Sequence, residues 1–294
     1  MKENFIVTEA EASQRIDTLC GQKFPDYSRS QWQKYGKFFV EEKEVSGSFK
    51  LKEGQEVRVC LEIQACEDLE VWEYDLEVLA ESETWLVISK PIGISVHPSK
   101  SENSQKTIVN ALLYKFGKDF VAGADVTRPG IVHRLDKVTS GVLVIAKTSK
   151  THKYLQEHWG EVEKIYSAVV TGTPAAKGKI EGGIMRDPNN KIKMTVSDSK
   201  KAKSAITYFE VLDFDEEKNQ SLLQVKIPTG RTHQIRAHLS SIGFPIVGDE
   251  VYGGEEAKRV FLHASKITFP DPDKAGERTS VEALLPEGFD CSTV

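Results

Sequence analysis

Beyond residue 73 this chain is dominated by strand patterns that do not alternate regularly with helices. Strands are expected over 85–89, 130–135, 141–147, 165–171, 205–212 and 221–227. Helices are expected over 107–116, 150–161 and 232–242. In the last of these, Ile235, Leu239 and Ile242 form the apolar stripe, and Gly243 with Pro245 ends it. Such an order favours an α+β class with a mixed, largely antiparallel sheet and flanking helices over a doubly wound fold. The longest apolar stretches, such as 141–146, are strand-sized, far short of the roughly 20 residues a bilayer-crossing helix needs. The opening MKENFIVTEAEAS is too polar for a secretory signal. No membrane partner is expected. Cys20, Cys60, Cys66 and Cys291 form no CxxC pair, so neither a zinc clip nor a disulfide framework is indicated, and a reducing cytoplasm is the expected compartment.

Residues 1–66 have the character of a separate small unit. Two short helices are expected over 13–23 and 28–39, broken at Phe24-Pro25-Asp26-Tyr27, with Ser28 as the second N-cap. On that second helix Arg29, Gln33 and Lys37 share a face. Gly turns and an alternating strand over 57–61 follow. The opening QRIDTLCGQKFPDYSRSQ and the close LKEGQEVRV resemble the small alpha-L RNA-binding domain of ribosomal-protein type. An acidic connector over 67–72 leads into a body over 73–294.

The net charge of −5 argues against a nucleic-acid partner until its distribution is considered. Residues 128–153 hold six Lys or Arg against one acid, and 186–203 hold six against two; 226–238 add Lys226, Arg231 and Arg236 with no acid. The compensating acids crowd the two ends of the chain. A local positive field binds phosphates even when the total is negative. Any one such run is most simply a solvated surface; three of them bear on one groove only if folding gathers them.

The chemistry concentrates in GIVHRLDKVTSGVLVIAKT, residues 130–148, where Asp136 sits among His133, Arg134 and Lys137. Taken alone, DKVTSG is better explained as a hairpin loop, since Asp opens turns, Gly closes them, and Thr and Ser bond the local backbone. Against that stands the basic company Asp136 keeps: nearby cations hold a carboxylate ionised, and an oriented carboxylate can act as a nucleophile.

RPGIVHRLDKVTSGVLVIAKT resembles the catalytic motif of the RluA-type pseudouridine synthases, and the likeness extends over roughly residues 73–290. WLVISKPIGISVHPS and TIVNALL lie upstream of it. EKIYSAVVTG, IMRDPNNKIKMTV, TGRTHQIRAHLSSIGFPIVGDEVYGG and FLHASKITF lie downstream. The resemblance implies that family's fold, a mixed sheet with a central RNA-binding cleft, and its reaction, the isomerisation of specific uridines in RNA. Large-subunit ribosomal RNA is the expected partner and transfer RNA the alternative, with the protein acting as a monomer. It places the nucleophile on Asp136, the base-stacking tyrosine and candidate general base on Tyr166, and the partner of the catalytic acid on Arg236. Expected RNA contacts are His133, Arg134, Lys137, Arg186, Lys193, Lys200, Lys201, Lys203, Arg231 and His233. On residues alone, Tyr166 is better explained as a half-buried strand tyrosine, Arg236 as a helix-surface arginine, and His133 as a filler of its strand's inner face.

No cofactor is expected, because the isomerisation moves no electrons and adds no water. GTPAAKGKI over 172–180 lacks the Ser or Thr of a phosphate loop and is expected to be a turn before a strand. His233 and His238 are poorly spaced for a metal on a helix, so no metal is expected. Two other readings stay open: a non-catalytic RNA-binding or ribosome-assembly factor on the same fold, and a glycoside hydrolase pairing Asp136 with Asp249, which requires carboxylates about 5–9 Å apart.

Overall fold

The computed structural model describes residues 1–25, 27, 29–61, 69–98, 106–118, 120, 122–123, 127–286 and 289. Its first part comprises β1 (Lys2–Ile6), α1 (Ile16–Lys23), α2 (Arg29–Tyr35), β2 (Gly36–Val40), β3 (Lys43–Val45) and β4 (Glu56–Leu61). The strands form an antiparallel sheet in the order β1-β4-β2-β3. Ile16, Leu19 and Trp32 of the helices pack on Phe38, Val57 and Val59 of the sheet.

The second helix stops four residues before its expected end. Phe38 and Val40 alternate inward with period two, so 36–40 pairs with β4 as a strand rather than extending the helix. Lys37 therefore lies on a strand and shares no helix face with Arg29 and Gln33. Those two turn toward Asp17 instead. The expected N-cap Ser28 and the expected connector's Glu67 and Asp68 lie outside the described residues.

The larger part runs β5 (Val78–Glu81), β6 (Trp85–Lys90), α3 (Ile108–Phe116), β7 (Ser140–Ala146), α4 (Ser149–Glu157), β8 (Glu163–Thr171), β9 (Lys177–Arg186), β10 (Met194–Val196), β11 (Lys203–Asp215), β12 (Gln220–Lys226), α5 (Gln234–Ser241), β13 (Leu262–Pro270) and β14 (Arg278–Glu282). Its strands form one sheet in the order β10-β9-β11-β12-β8-β13-β7-β6-β5, with β14 added beside β13. Every pairing is antiparallel except β13 with β7. This is the mixed, largely antiparallel α+β arrangement that the strand order implies.

β7 is buried at every position. Each large aliphatic side chain so removed from water is worth about 1.5–3 kcal/mol, which makes this strand the anchor on which the neighbouring loop can be built. Gly141 within it adopts φ +112°, and a Cβ there would strike the Ala264 carbonyl of β13. The glycine of the TSG triplet thus permits the parallel approach of β13 to β7.

The expected strand over 130–135 does not form. Ile131 makes a single bridge with Ile145, and the chain then leaves β7. His133 supplies the reason: its Nε2 accepts the Val144 N–H at 2.9 Å, a bond that a strand partner's carbonyl would otherwise take. Freed from the ladder, the segment swings into an irregular loop ending at Asp136. No helix among the described residues is long and apolar enough to cross a membrane.

Candidate active site

The 131–139 loop, β8 and the segment 227–236 converge on one cavity over the sheet, with the turn 248–254 packed against Arg236 behind it. Asp136 opens a tight turn in which its carbonyl accepts the Thr139 N–H at 3.0 Å. Behind it the Lys137 carbonyl accepts the Gly93 N–H at 2.8 Å, and Ser140 Oγ bonds both His263 Nδ1 at 2.8 Å and Arg259 Nη2 at 2.5 Å. The C-terminal end of the loop is thus tied to the turn after β6 and to β13 with the segment before it. The Asp136 side chain keeps 18 % of its surface open and lines the cavity together with Tyr166, Ile227, His233, Arg236 and Leu262.

Arg236, nearly buried in the first turn of α5, divides its guanidinium between two carboxylates. Nε and Nη2 donate to Asp249 at 2.6 and 2.8 Å, and Nη1 lies 3.5 Å from Asp136 Oδ2. Burial works against the arginine's charge, but the Asp249 bonds, with Asp136 beyond them, more than restore it, and its pKa is raised. Its guanidinium also lies against the Tyr252 ring, 4.9 Å from the centroid. Asp249 and Tyr252 come from GDEVYGG. Gly248 there has φ +81° and approaches the Arg259 carbonyl so closely that a side chain would collide with it.

Tyr166 is buried on β8, and its phenol is pushed far up, first by burial and then by Asp136. His233 precedes α5 in a left-handed conformation and is held below its ordinary pKa by burial. Its Nε2 lies 3.9 Å from Asp136 Oδ2. A wider opening of about 390 Å³ continues the site past Ser95, His97, Lys137 and the exposed Ile192.

Asp136, Tyr166 and Arg236 are therefore brought together, with Arg134, Arg231 and His233 on the same walls and Lys137 in the adjoining opening. Lys193 lies against Tyr252, 5.1 Å from its centroid. Arg231 Nε donates to the Ser204 carbonyl, next to exposed Lys203, while Lys200 and Lys201 occupy an exposed turn beyond β10. Arg186 bonds the Lys191 carbonyl at the tip of the β9–β10 hairpin. His133 is placed away from the cavity: besides accepting from Val144, its ring lies on Trp159 at 4.8 Å, and burial drives its pKa to about 3. Half-buried there, it serves the sheet and is not among the residues that line the cavity.

Asp249 is 1 % exposed and holds Arg236 with both oxygens, so it offers no free second acid, which removes the basis for the glycoside hydrolase reading. Among the described residues no group of His, Cys, Asp and Glu is placed to hold a metal. Sequence reasoning missed the positioning roles of Asp249, Tyr252 and Lys90. Lys90 is fully buried at the end of β6 and donates to the Pro91 and Ile94 carbonyls at 2.7 and 2.9 Å. Burial lowers its pKa to about 7, against the pull of nearby Asp136. An available signal was the Lys-Pro step at a strand end and the Asp and Tyr bracketed by glycines.

The family model described as RNA pseudouridylate synthase matches residues 84–241, more than half of the chain and most of this site. The chain belongs to that family. The synthase is 37 % identical to a ribosomal large subunit pseudouridine synthase D of Pseudomonas aeruginosa, over 94 % of this chain and 90 % of that one. It is 42 % identical to an uncharacterized RNA pseudouridine synthase of Aquifex aeolicus, over 82 % of this chain and 77 % of the other. Among solved structures, human RNA pseudouridylate synthase domain containing 1 superposes on the synthase with a TM-score of 0.58 at 27 % identity, covering 71 % of this chain and 83 % of that one.

Proposed function

We propose that this synthase isomerises uridines of large-subunit ribosomal RNA with Asp136 as the nucleophile. The observation that supports it is one juxtaposition: a partly open carboxylate 3.5 Å from a buried arginine, with the Tyr166 ring on the same cavity wall. The relatives named ribosomal large subunit pseudouridine synthase D support the choice of RNA.

A uridine within a helix or stacked loop has to be extruded before its base can turn, at a cost of a few kcal/mol. Stacking on Tyr166 returns about 1–3 kcal/mol of that. Asp136 forms a bond to the uridine, the N1–C1′ bond breaks, the base turns and a C5–C1′ bond forms; the bond to Asp136 then breaks, C5 gives up its proton to solvent or a nearby base, and N1 takes one up. Arg236 orients the carboxylate, and because Asp249 engages two of its nitrogens, it does so without capping both Asp136 oxygens. The raised Tyr166 phenol keeps its proton at neutral pH, which favours the ring's stacking role over that of a base. Arg134, Lys137, Arg186, Lys193, Lys200, Lys201, Lys203, Arg231 and His233 form the RNA-facing surface, through which phosphates fix the register and RNA shape selects the site. Residues 1–66 act as an alpha-L-type docking unit, joined through 67–72 to a catalytic body over 73–294. The protein works as a cytoplasmic monomer.

The test is to incubate the purified protein with unmodified ribosomal RNA and map new pseudouridines chemically, with transfer RNA as the control. New sites in the large-subunit RNA are expected. Modification of transfer RNA alone would overturn the substrate assignment.

A further inference from the structure

We infer that His233 takes part in the isomerisation as a neutral imidazole whose Nε2–H donates to a carbonyl oxygen of the extruded uracil. This rests on the reading of Asp136 as the nucleophile and adds a second group in contact with the reacting base.

The backbone is the first support. His233 adopts φ 52° and ψ 22°, a left-handed conformation that a side-chain-bearing residue enters at a cost, directly before α5. That conformation turns the ring into the cavity.

The tautomer is the second. The Tyr252 hydroxyl accepts the Met194 N–H at 2.8 Å and lies 3.0 Å from His233 Nδ1. A backbone amide can only donate, so the phenol keeps its own proton to give. Among the described residues no other acceptor is bonded to it, so that proton goes to Nδ1. Nδ1 is then an acceptor, and the ring's own hydrogen sits on Nε2. Burial pushes the Tyr252 phenol up to about 12, which keeps it a donor. Burial also holds His233 below its ordinary pKa against the opposing pull of Asp136 and Asp249, with Arg236 and Arg134 adding to the lowering.

Direction is the third. Nε2 lies 3.9 Å from Asp136 Oδ2, too far for a direct hydrogen bond, and both groups border the same cavity. The N–H therefore faces the space a base would occupy beside the nucleophile.

That placement matters by either route of attack. If an Asp136 oxygen bonds to ring carbon 6, the C5–C6 π pair moves through C5 onto the carbonyl oxygen at position 4. If it bonds to the ribose anomeric carbon, the glycosidic bond breaks and its electron pair leaves with the base, shared by N1 and both carbonyl oxygens. Negative charge builds on a uracil oxygen in each case, and no oxidant or reductant is required. A fixed N–H at that oxygen stabilises the charge as it develops, without giving up its proton.

His233→Asn retains a residue at ease in the left-handed region but withdraws the donor from the Nε2 position. His233→Gln restores an amide N–H close to it. Single-turnover rate on ribosomal RNA at saturating enzyme is expected to fall about 100-fold in His233→Asn and to recover most of the loss in His233→Gln. Nitrogen-15 NMR of histidine in the free wild-type protein is expected to show the Nε2–H tautomer. Tyr252→Phe, which removes a positioning residue, is expected to mix the two tautomers. Near wild-type turnover in His233→Asn, or an Nδ1–H tautomer in the wild type, would overturn the inference. The NMR result stands even if His233→Asn fails to fold. Turnover persisting in Asp136→Asn would instead strike at the nucleophile itself, so the two failures are distinguishable.

Discussion

Two aspartates of this chain meet arginines in opposite ways. Asp17, at the start of α1, is fully buried and accepts from Arg15 Nε and Nη2 at 3.1 and 2.7 Å, Thr18 Oγ1 at 3.1 Å and Gln33 Nε2 at 2.8 Å, with Arg29 at 3.5 Å. Its oxygens are saturated, and they hold the two helices of the small unit together. Among the described residues Asp136 has only long contacts, to Arg236 and His233 at 3.5 and 3.9 Å, and one side open to the cavity. An oxygen whose lone pairs are all committed can only support structure; one held loosely on one side is left to react. The difference lies in a third residue. Arg236 commits Nε and Nη2 to Asp249, so only Nη1 reaches Asp136, and it steadies that carboxylate without capping both of its oxygens.

The contrast breaks most sharply at Asp136→Asn. We expect turnover to fall at least about 10³-fold, or about 4 kcal/mol in the barrier, with thermal stability and RNA affinity nearly unchanged. Isomerisation measured by tritium release from labelled uridine, set beside a melting curve, checks both halves; an active variant would remove the distinction. Asp249→Asn comes next and is expected to damage stability and rate together. Leaving Arg236 buried without its bidentate partner costs about 3–5 kcal/mol. The freed arginine is then drawn onto Asp136 and caps it. Calorimetry with single-turnover kinetics tests this, and a variant that loses stability but keeps its rate would show that Asp249 plays no part in orienting Asp136.

How far this contrast is legible in the sequence differs between fold and site. Strands β6, β7, β8 and β12 follow from continuous or alternating apolar runs, because burial of those side chains decides their conformation. The segment 130–135 carries the same pattern yet leaves the sheet, since the His133 ring replaces a backbone partner of Val144. Composition does not encode that exchange. Likewise 36–39 reads as a continuation of α2 until pairing with β4 overrides it. At the site, Asp136, Tyr166 and Arg236 lie on three elements that spacing alone does not connect; the resemblance to a known motif suggested the grouping. Asp249, Tyr252 and Lys90 escaped because their roles arise from burial. A lysine at a strand end and an acid in a glycine turn are ordinarily solvated, and only the folded chain encloses them.

A smaller effect is expected at Asp17. Asp17→Asn removes charge-assisted hydrogen bonds worth about 2 kcal/mol and should loosen the small unit while leaving the rate of the chemical step unaltered. The bonds to Arg15, Gln33 and Thr18 outweigh burial and draw the Asp17 carboxyl from 3.8 down to about 2. Because its pKa is lower folded than unfolded, the stabilisation is fully present above the unfolded value and is lost as pH falls from near 4 toward 2. Hydrogen exchange of β2 and β4 amides across that window reads it directly. Exchange in Asp17→Asn that keeps the wild-type pH dependence would show that another group governs the acid response.

The gentlest test lies outside both clusters. Lys200 and Lys201 occupy an exposed turn. If they contact phosphate, replacing either with Ala weakens RNA binding several-fold at low salt. It should also flatten the slope of log affinity against log salt by about 0.7–0.9, the share of one released counterion. Stability and the chemical step should not move, because neither residue packs on the sheet or reaches the cavity. A titration at several salt concentrations separates this from a packing effect, which would alter affinity without changing the slope. An unchanged slope would mean that these lysines face only water, and that the positive surface guiding RNA to Asp136 stops closer to the cavity, around Arg134, Lys137 and Arg231.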